Sequence, residues 1–446
     1  MIHYRIPNGG RLFFTRLLLF FFMAIPYCTI AQTPLTANER SQVIDSLGKR
    51  LKDYYIFPKM ADEMVGAIAT HAAHGKYTAI PDPRTLAETL TADLVNVSHD
   101  KHLNVTFDPG WVTASKKVLT LQDSVELWKM DYPDGRLVNY GFKEIKILEG
   151  NIGYLNLTEF FNPSYGGETA VAAMKFLENT DALIIDLRTN GGGFGEMVQL
   201  LASYFFEAAR HVLLLEMYAR ATNSVTQDYI LPYIPGKRLP DIALYILTSN
   251  RTFSAAESFT YFLKNQKRAV SIGETTGGGA HPIDHIAVTD RFSLFVPSSK
   301  PIDPITKTNW EGKGVSPDIA TPAKDALLTA HIKALEKLAA SHPDSNYTYT
   351  WALAGLQARQ NPVSILPAVL KTYAGNYGNR KLTLENNGLF YQKENNEKHR
   401  LVPITTDLFI LENVPELRIK MIREQDKVTA LLRLYENGDS ARNNRE

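Results

Sequence analysis

The chain has 446 residues, with 48 lysines and arginines against 47 aspartates and glutamates and a single cysteine. So even a balance excludes the basic stripe that nucleic-acid binding needs, and no nucleic-acid partner is expected. One cysteine, Cys28, leaves no disulfide framework and no thiolate zinc site, and no His-Glu-x-x-His occurs, so no metal site is expected.

In chain order, the first signal is a leader. Arg5, Arg11 and Arg16 precede the short apolar run Leu17 to Ile25, and Thr29-Ile30-Ala31 supplies small residues at a cleavage point. This predicts a signal peptide over 1–31 and an extracytoplasmic mature chain, periplasmic or secreted, starting near Gln32. Pro26 interrupts the run too soon for a stable membrane span. Tyr27 before Cys28 is not the small residue expected at a lipidation site.

Residues 32–135 read as a helical subdomain. Thr36 and Glu39 have capping-box spacing, with Val43, Leu47, Leu51 and Tyr54 following at helical intervals. Met60, Met64 and Ile68 mark a second helix, and Leu86, Leu90 and Leu94 a third, with Pro81-Asp82-Pro83 between them. A short strand, Leu103 to Phe107, follows. Residues 136–325 alternate strands (151–157, 182–187, 211–218, 242–248) with helices (168–178, 196–206, 254–264), which is an α/β pattern. A helical linker over 326–364 includes a helix at 351–360. Residues 365–446 break into short alternating stretches separated by turns such as Asn386-Asn387-Gly388, the pattern of an antiparallel meander or small barrel.

Chemistry concentrates in the α/β part. The apolar run Ile242 to Thr248 leads through a polar break to Ser254, which opens a helix with Ala255, Ala256 and Glu257. A serine there lies beside the unpaired N–H groups of a first helical turn, which can stabilise an oxyanion; an ordinary N-cap would look the same. The strand at 182 ends in Asp186 and Arg188 and opens into Gly191-Gly192-Gly193, where glycines let backbone approach a ligand. No Gly-Lys-Ser/Thr follows, so a phosphate loop is not indicated and no cofactor is expected. A further strand from Val270 runs into Gly277-Gly278-Gly279-Ala280-His281, and Trp310-Glu311-Gly312 places an acid in a tight turn.

These segments, in this order, resemble the C-terminal-processing (tail-specific) serine peptidases. The shared marks are Asp186-Leu187-Arg188 running into glycines, Ser254-Ala255-x-Glu257, and Gly273-Glu274-x-Thr276 before a glycine. The Ser-Lys branch carries a lysine in the glycine run, and here Gly277-Gly278-Gly279 has none. The chain is more similar to the branch of tricorn protease and interphotoreceptor retinoid-binding protein. That resemblance implies a crotonase-like or Clp-protease-like core and a Ser-His-Glu mechanism on peptide or unfolded protein. It implies Ser254 as nucleophile, His102 as general base and acid, and Glu311 as the carboxylate that orients His102. Oxyanion donors would be the N–H of Ala255 and one amide of the 191–193 run, taken as Gly192, with Gly193 beside it. His281 would line the cleft. Lys101 stands where some relatives have a further catalytic serine, His99 is expected at the surface, Asp186 and Arg188 brace a strand end, and Glu257 complements a helix dipole. About 40 residues between Phe107 and Asn151 are too few for a PDZ domain. The C-terminal part resembles lipocalin-like modules. Two other functions fit the same scaffold: a non-catalytic binder of hydrophobic ligands, and an esterase or amidase on small acyl substrates.

Overall fold

A computed structural model describes residues 34–100, 102–116, 135–342 and 347–446. The leader over 1–31, Cys28 and Lys101 lie outside them. Three helices come first, α1 (Ala37–Tyr54), α2 (Pro58–Ala73) and α3 (Pro83–Ser98). Each begins where the sequence supplies a start. The Thr36 hydroxyl accepts the Glu39 N–H, the Asp82 carboxylate accepts that of Thr85, and prolines open α2 and α3. Their apolar stripes, including Val43, Leu47, Met64, Ile68, Leu90 and Leu94, are buried together. His99 ends α3 in the left-handed region with φ 57°, exposed, and the short strand β1 (Asn104–Phe107) follows, then α4 (Pro109–Ser115).

The central unit runs β2 (Phe142–Leu148), β3 (Ile152–Leu157), α5 (Pro163–Leu177), β4 (Ala182–Asp186), α6 (Gly195–Ser203), β5 (Leu213–Ala219), β6 (Ser224–Tyr229), β7 (Ala243–Thr248), α7 (Ala255–Asn265) and β8 (Ala269–Gly273). After β9 (Ile283–Ala287), β10 (Phe292–Pro297) and β11 (Ser299–Ile302), β12 (Ile319–Ala320) rejoins the main sheet. The sheet order is β12-β8-β7-β4-β3-β2, parallel except for antiparallel β2 at one edge. Helices α5, α6 and α7 cover one face. The other face is covered by α8 (Ala326–Ser341) and α9 (Tyr347–Gln360). Every residue of β4 and β7 is buried, as their nearly unbroken apolar runs require in a strand covered on both sides. Helix α5 starts five residues before the 168 expected from sequence, because Asn162 caps it and Gly166 packs against Tyr140 and Met197, where a side chain would crowd.

Sequence reading did not name β9, β10 or β11. Their importance is positional. β10 pairs antiparallel with both β9 and β1, in the register Asn104↔Phe295 to Phe107↔Phe292, and Leu294 and Val296 join the core of the N-terminal helices. That seam carries the N-terminal part against the α/β unit.

The C-terminal part opens with α10 (Pro367–Tyr373) and continues as eight sequential antiparallel strands, β13 (Gly375–Asn376) to β20 (Ser440–Asn444), forming a half-barrel. Asn386 and Asn387 both have positive φ, 49° and 61°, matching the tight hairpin read from Asn386-Asn387-Gly388. The two ends of the meander meet where the Glu446 N–H donates to the Asn376 carbonyl, 3.1 Å. Tyr373, Tyr377, Tyr391 and Phe409 are buried inside. The half-barrel docks on α9 through Arg418, stacked on Trp351 at 3.6 Å, while Arg359 pairs with both oxygens of Glu149 in the α/β unit.

Candidate active site

β7 ends in a break, Ser249 to Phe253, and Ser254 stands at the N-cap of α7. Its backbone has φ 53° and ψ −118°, a conformation that costs an L-residue about 1–3 kcal/mol and persists only when the surroundings enforce it. They do. The Phe253 N–H donates to the Asn190 carbonyl (3.0 Å), the Thr252 hydroxyl to the Leu187 carbonyl (2.8 Å), and the Ser254 N–H to Glu257 Oε2 (2.8 Å). Ser254 and Glu257 form a capping box, with the Ser254 side chain facing the Glu257 N–H.

The glycine run before α6 lies directly on this turn. A Cβ at Gly192 would come 2.7 Å from the Ser254 Cβ, and Gly192 has φ 115°, so both space and conformation demand glycine. The Gly192 amide, expected as an oxyanion donor, here donates to Asn190 Oδ1 at 2.8 Å, an oxygen of a fully buried side chain. Gly191, Gly193 and Ala255 keep their N–H groups unbonded among the described residues, which leaves these three as the available donors.

The second glycine run faces the turn from the other side. The Phe253 ring rests on Gly277 and Gly279, where a Cβ would come within 2.7 and 2.0 Å of it. Gly278 has φ 88°, and a Cβ there would come 3.1–3.2 Å from the backbone of Gly312 to Gly314. Glycine is therefore required where Ser-Lys relatives would carry their base. The open face of the Phe253 ring is stacked by His102, with centroids 5.9 Å apart and an interplanar angle of 29°. His102 thus stacks on the residue that precedes Ser254, carried by the seam of β1 with β10.

The partner of His102 is not Glu311. Its Nδ1 lies 3.0 Å from Asp100 Oδ1, which also accepts the His102 backbone N–H at 2.9 Å, while the Tyr55 hydroxyl donates to Asp100 Oδ2 at 3.0 Å. Asp100 reaches the ring because a carboxylate two residues back folds naturally onto its own downstream backbone. Burial works against the charge on Asp100, yet these hydrogen bonds hold its carboxyl below the usual aspartate value. The Asp100 hydrogen bond raises the His102 imidazole above the usual histidine value against burial, with the charges of Glu311 and Glu257 adding to it.

Glu311 turns to backbone instead. Its Oε2 accepts the N–H groups of Ala280 (2.6 Å) and His281 (3.1 Å) and lies 3.6 Å from His281 Nδ1. His281 is buried edge-on against Phe57, and burial lowers it below the usual histidine value despite Glu311. Asp186 is gripped at both oxygens by Arg188, which also donates to the Ala323 carbonyl, and Tyr154 donates to Asp186 at 2.7 Å. That is bracing of a strand end.

Sequence reasoning gave Asp100 no role and Glu257 only that of complementing a helix dipole. Asp100 was visible in Asp100-x-His102, and Glu257 in the Ser-x-x-Glu spacing of a capping box. Among the described residues, no cluster of His, Cys, Asp and Glu is arranged to hold a metal ion, and no helix is long and apolar enough to cross a membrane.

Comparison with known proteins agrees on the two units. Residues 151–321 match peptidase family S41, and residues 35–133 match the N-terminal domain of that family in eukaryotic IRBP. A probable CtpA-like serine protease of Staphylococcus epidermidis is 25% identical over 189 residues, 40% of this chain and 36% of that protein. The chain therefore spans well under half the length of that relative. A putative peptidase from Parabacteroides merdae is 19% identical with a TM-score of 0.45, over 66% of this chain and 96% of that one. A lipoprotein from Streptococcus agalactiae is 14% identical with a TM-score of 0.47, over 68% and 98%. With its α/β unit and its N-terminal unit both matched, the chain belongs to peptidase family S41.

Proposed function

We propose that this chain is an extracytoplasmic serine peptidase that hydrolyses peptide bonds of peptides or unfolded proteins through an acyl-enzyme on Ser254. One observation carries the reading: a strained serine opens α7 directly after Phe253, whose ring is stacked by an imidazole with its Nδ1 already held by a carboxylate. A pure ligand binder has no use for that pairing.

The chemistry follows from the atoms. With Nδ1–H bonded to Asp100, the tautomer is set and Nε2 carries the lone pair. Nε2 takes the Ser254 proton as Oγ attacks the carbonyl carbon. The resulting oxyanion is met by the N–H groups of Ala255 and Gly193 at the positive end of α7. The tetrahedral adduct collapses, Nε2–H protonates the departing amine, and the C–N bond breaks to leave the Ser254 ester. Water, deprotonated by the same nitrogen, then releases the acid. Asp100, steadied by Tyr55, stabilises the imidazolium at each stage. Glu311 is left the lesser part of adding negative potential near His102.

The leader read over 1–31 supports export of the chain. Intact-mass measurement after fluorophosphonate treatment tests the nucleophile. One adduct is expected on wild type, none on Ser254→Ala and slow labelling on His102→Ala. A well-folded wild type that takes no label overturns the peptidase reading and favours a hydrophobic-ligand binder. Turnover of small esters but of no peptide in a library would favour the esterase reading.

A further inference from the structure

Glu257 is a fully buried carboxylate that the mechanism above does not use. It accepts four hydrogen bonds. Oε2 takes the Ser254 N–H (2.8 Å) and the Gly279 N–H (2.9 Å). Oε1 takes the Gly278 N–H (2.7 Å) and the Thr276 hydroxyl (2.5 Å). Thr276 Oγ1 in turn accepts the Val315 N–H at 2.7 Å. A helix dipole needs none of this, and an exposed first-turn glutamate would complement it equally well.

The geometry shows what the contacts enforce. In an ordinary capping box the serine hydroxyl accepts from the third helical residue while that residue's side chain reaches back to the cap N–H. Here both halves face each other, and the Glu257 half is closed by a short bond, its Oε2 accepting the Ser254 N–H at 2.8 Å. The carboxylate thereby pins Ser254 at φ 53° by its amide and leaves the Ala255 N–H unspent. Through Gly278 and Gly279 it fixes the glycine run on which the Phe253 ring lies, and His102 stacks on that ring. One side chain therefore sets the nucleophile, one oxyanion donor and the platform beneath the base.

We propose that Glu257 is a positioning residue for the reaction, acting through the Ser254 amide and the Gly278–Gly279 backbone to hold nucleophile and base in reactive register. The proposal rests on the peptidase reading of the same site. Burial raises Glu257 above the usual glutamate value against its four hydrogen bonds, so protonation at low pH removes acceptor capacity as a neutral amide would.

The test compares wild type, Glu257→Gln and Thr276→Val. Glutamine keeps the shape but brings an NH2 to face donors; Thr276→Val removes one donor and keeps the carboxylate. Two readouts are taken together: saturation kinetics of fluorophosphonate labelling, and amide hydrogen exchange over 253–257 and 276–281. For Glu257→Gln the maximal labelling rate should fall about 100-fold, the order expected from an ångström-scale misplacement, with the inhibitor's apparent affinity unchanged. Exchange should rise at Ser254, Gly278 and Gly279. Thr276→Val should fall between the two. A folded Glu257→Gln that labels within threefold of wild type overturns the proposal, as does a fall confined to affinity. If Glu257→Gln does not fold, Thr276→Val decides by the same criteria, with a fall of about threefold or more in maximal rate as its threshold, a fraction of the full misplacement penalty. Wild type that takes no label overturns the peptidase reading itself and the positioning role with it; faster exchange in the variant would then show a clamp without a catalytic purpose.

Discussion

Replacing Asp100 by asparagine is the sharpest perturbation of the base. Asp100 receives the His102 Nδ1–H at 3.0 Å with its side chain 8% exposed, and the His102 side chain is 17% exposed. In so sheltered a place, losing the carboxylate beside a developing imidazolium should cost about 2–4 kcal/mol, from a charged hydrogen bond of about 1.5–3 kcal/mol plus residual charge attraction. At 1.36 kcal/mol per tenfold, that is a fall in kcat/KM of about 30- to 1000-fold. An amide that presents its NH2 to Nδ1 would also favour the wrong tautomer and push the fall toward the upper end. The pH profile gives a second, signed result. Since the Asp100 hydrogen bond is the main force holding His102 above the usual histidine value, Asp100→Asn lets that value drop. The base is then deprotonated at lower pH, and the acid limb of kcat/KM moves to lower pH even as the plateau falls. The assay is hydrolysis of a fluorogenic peptide from the library search, followed from pH 4 to 9. An Asp100→Asn enzyme within threefold of wild type, with an unmoved acid limb, would refute the assignment. A shift seen in Glu311→Gln instead would return the orienting role to Glu311.

Three further outcomes are expected. Ser254→Gly relieves an L-residue at φ 53°, so it should abolish labelling while raising stability by about 0.5–1.5 kcal/mol, read as an upward shift in melting temperature. Gly192→Ala places a methyl 2.7 Å from the Ser254 Cβ in backbone with φ 115°, and should cost about 2 kcal/mol or more of stability and suppress labelling; unchanged melting would contradict the packing described. The Asp100–His102 pair should make stability depend on pH with a definite sign. Asp100, held below 3.8, contributes stability above that value that is lost as pH falls through its folded value; His102, raised above 6.5, contributes stability at low pH that is lost as pH rises through its folded value. The gap in melting temperature between wild type and His102→Ala should therefore be widest between about pH 4 and 6.5 and narrow toward pH 9; a gap that widens with pH would contradict it.

How much of this was legible in sequence varied with the physics behind each element. β4 and β7 were plain because a strand buried on both faces must be apolar throughout, and the turn at Ser254 was plain because a polar break and a capping residue followed directly. β9 was opaque. Its residues Ile283 to Ala287 are half-exposed and mix Asp284 and His285 into the run, so no alternation survives to be read. Gly192 was read as an oxyanion donor because its run borders the cleft, but which amide is free depends on the Asn190 side chain, a tertiary matter. Glu311 was placed on His102 by resemblance, whereas Asp100 reaches the same nitrogen by local geometry that only coordinates reveal.

The seam between β1 and β10 has a further consequence. It joins two stretches separated by most of the α/β unit, in pairings from Asn104 with Phe295 to Phe107 with Phe292. A nascent chain emerging from the ribosome or threading an export channel makes the first of these stretches long before the second. On the chemistry proposed above, Ser254 has no base beside it until that late stretch arrives and zips on. On that chemistry, a chain in which β1 and β10 have not yet paired would hold His102 apart from the α/β unit that carries Ser254.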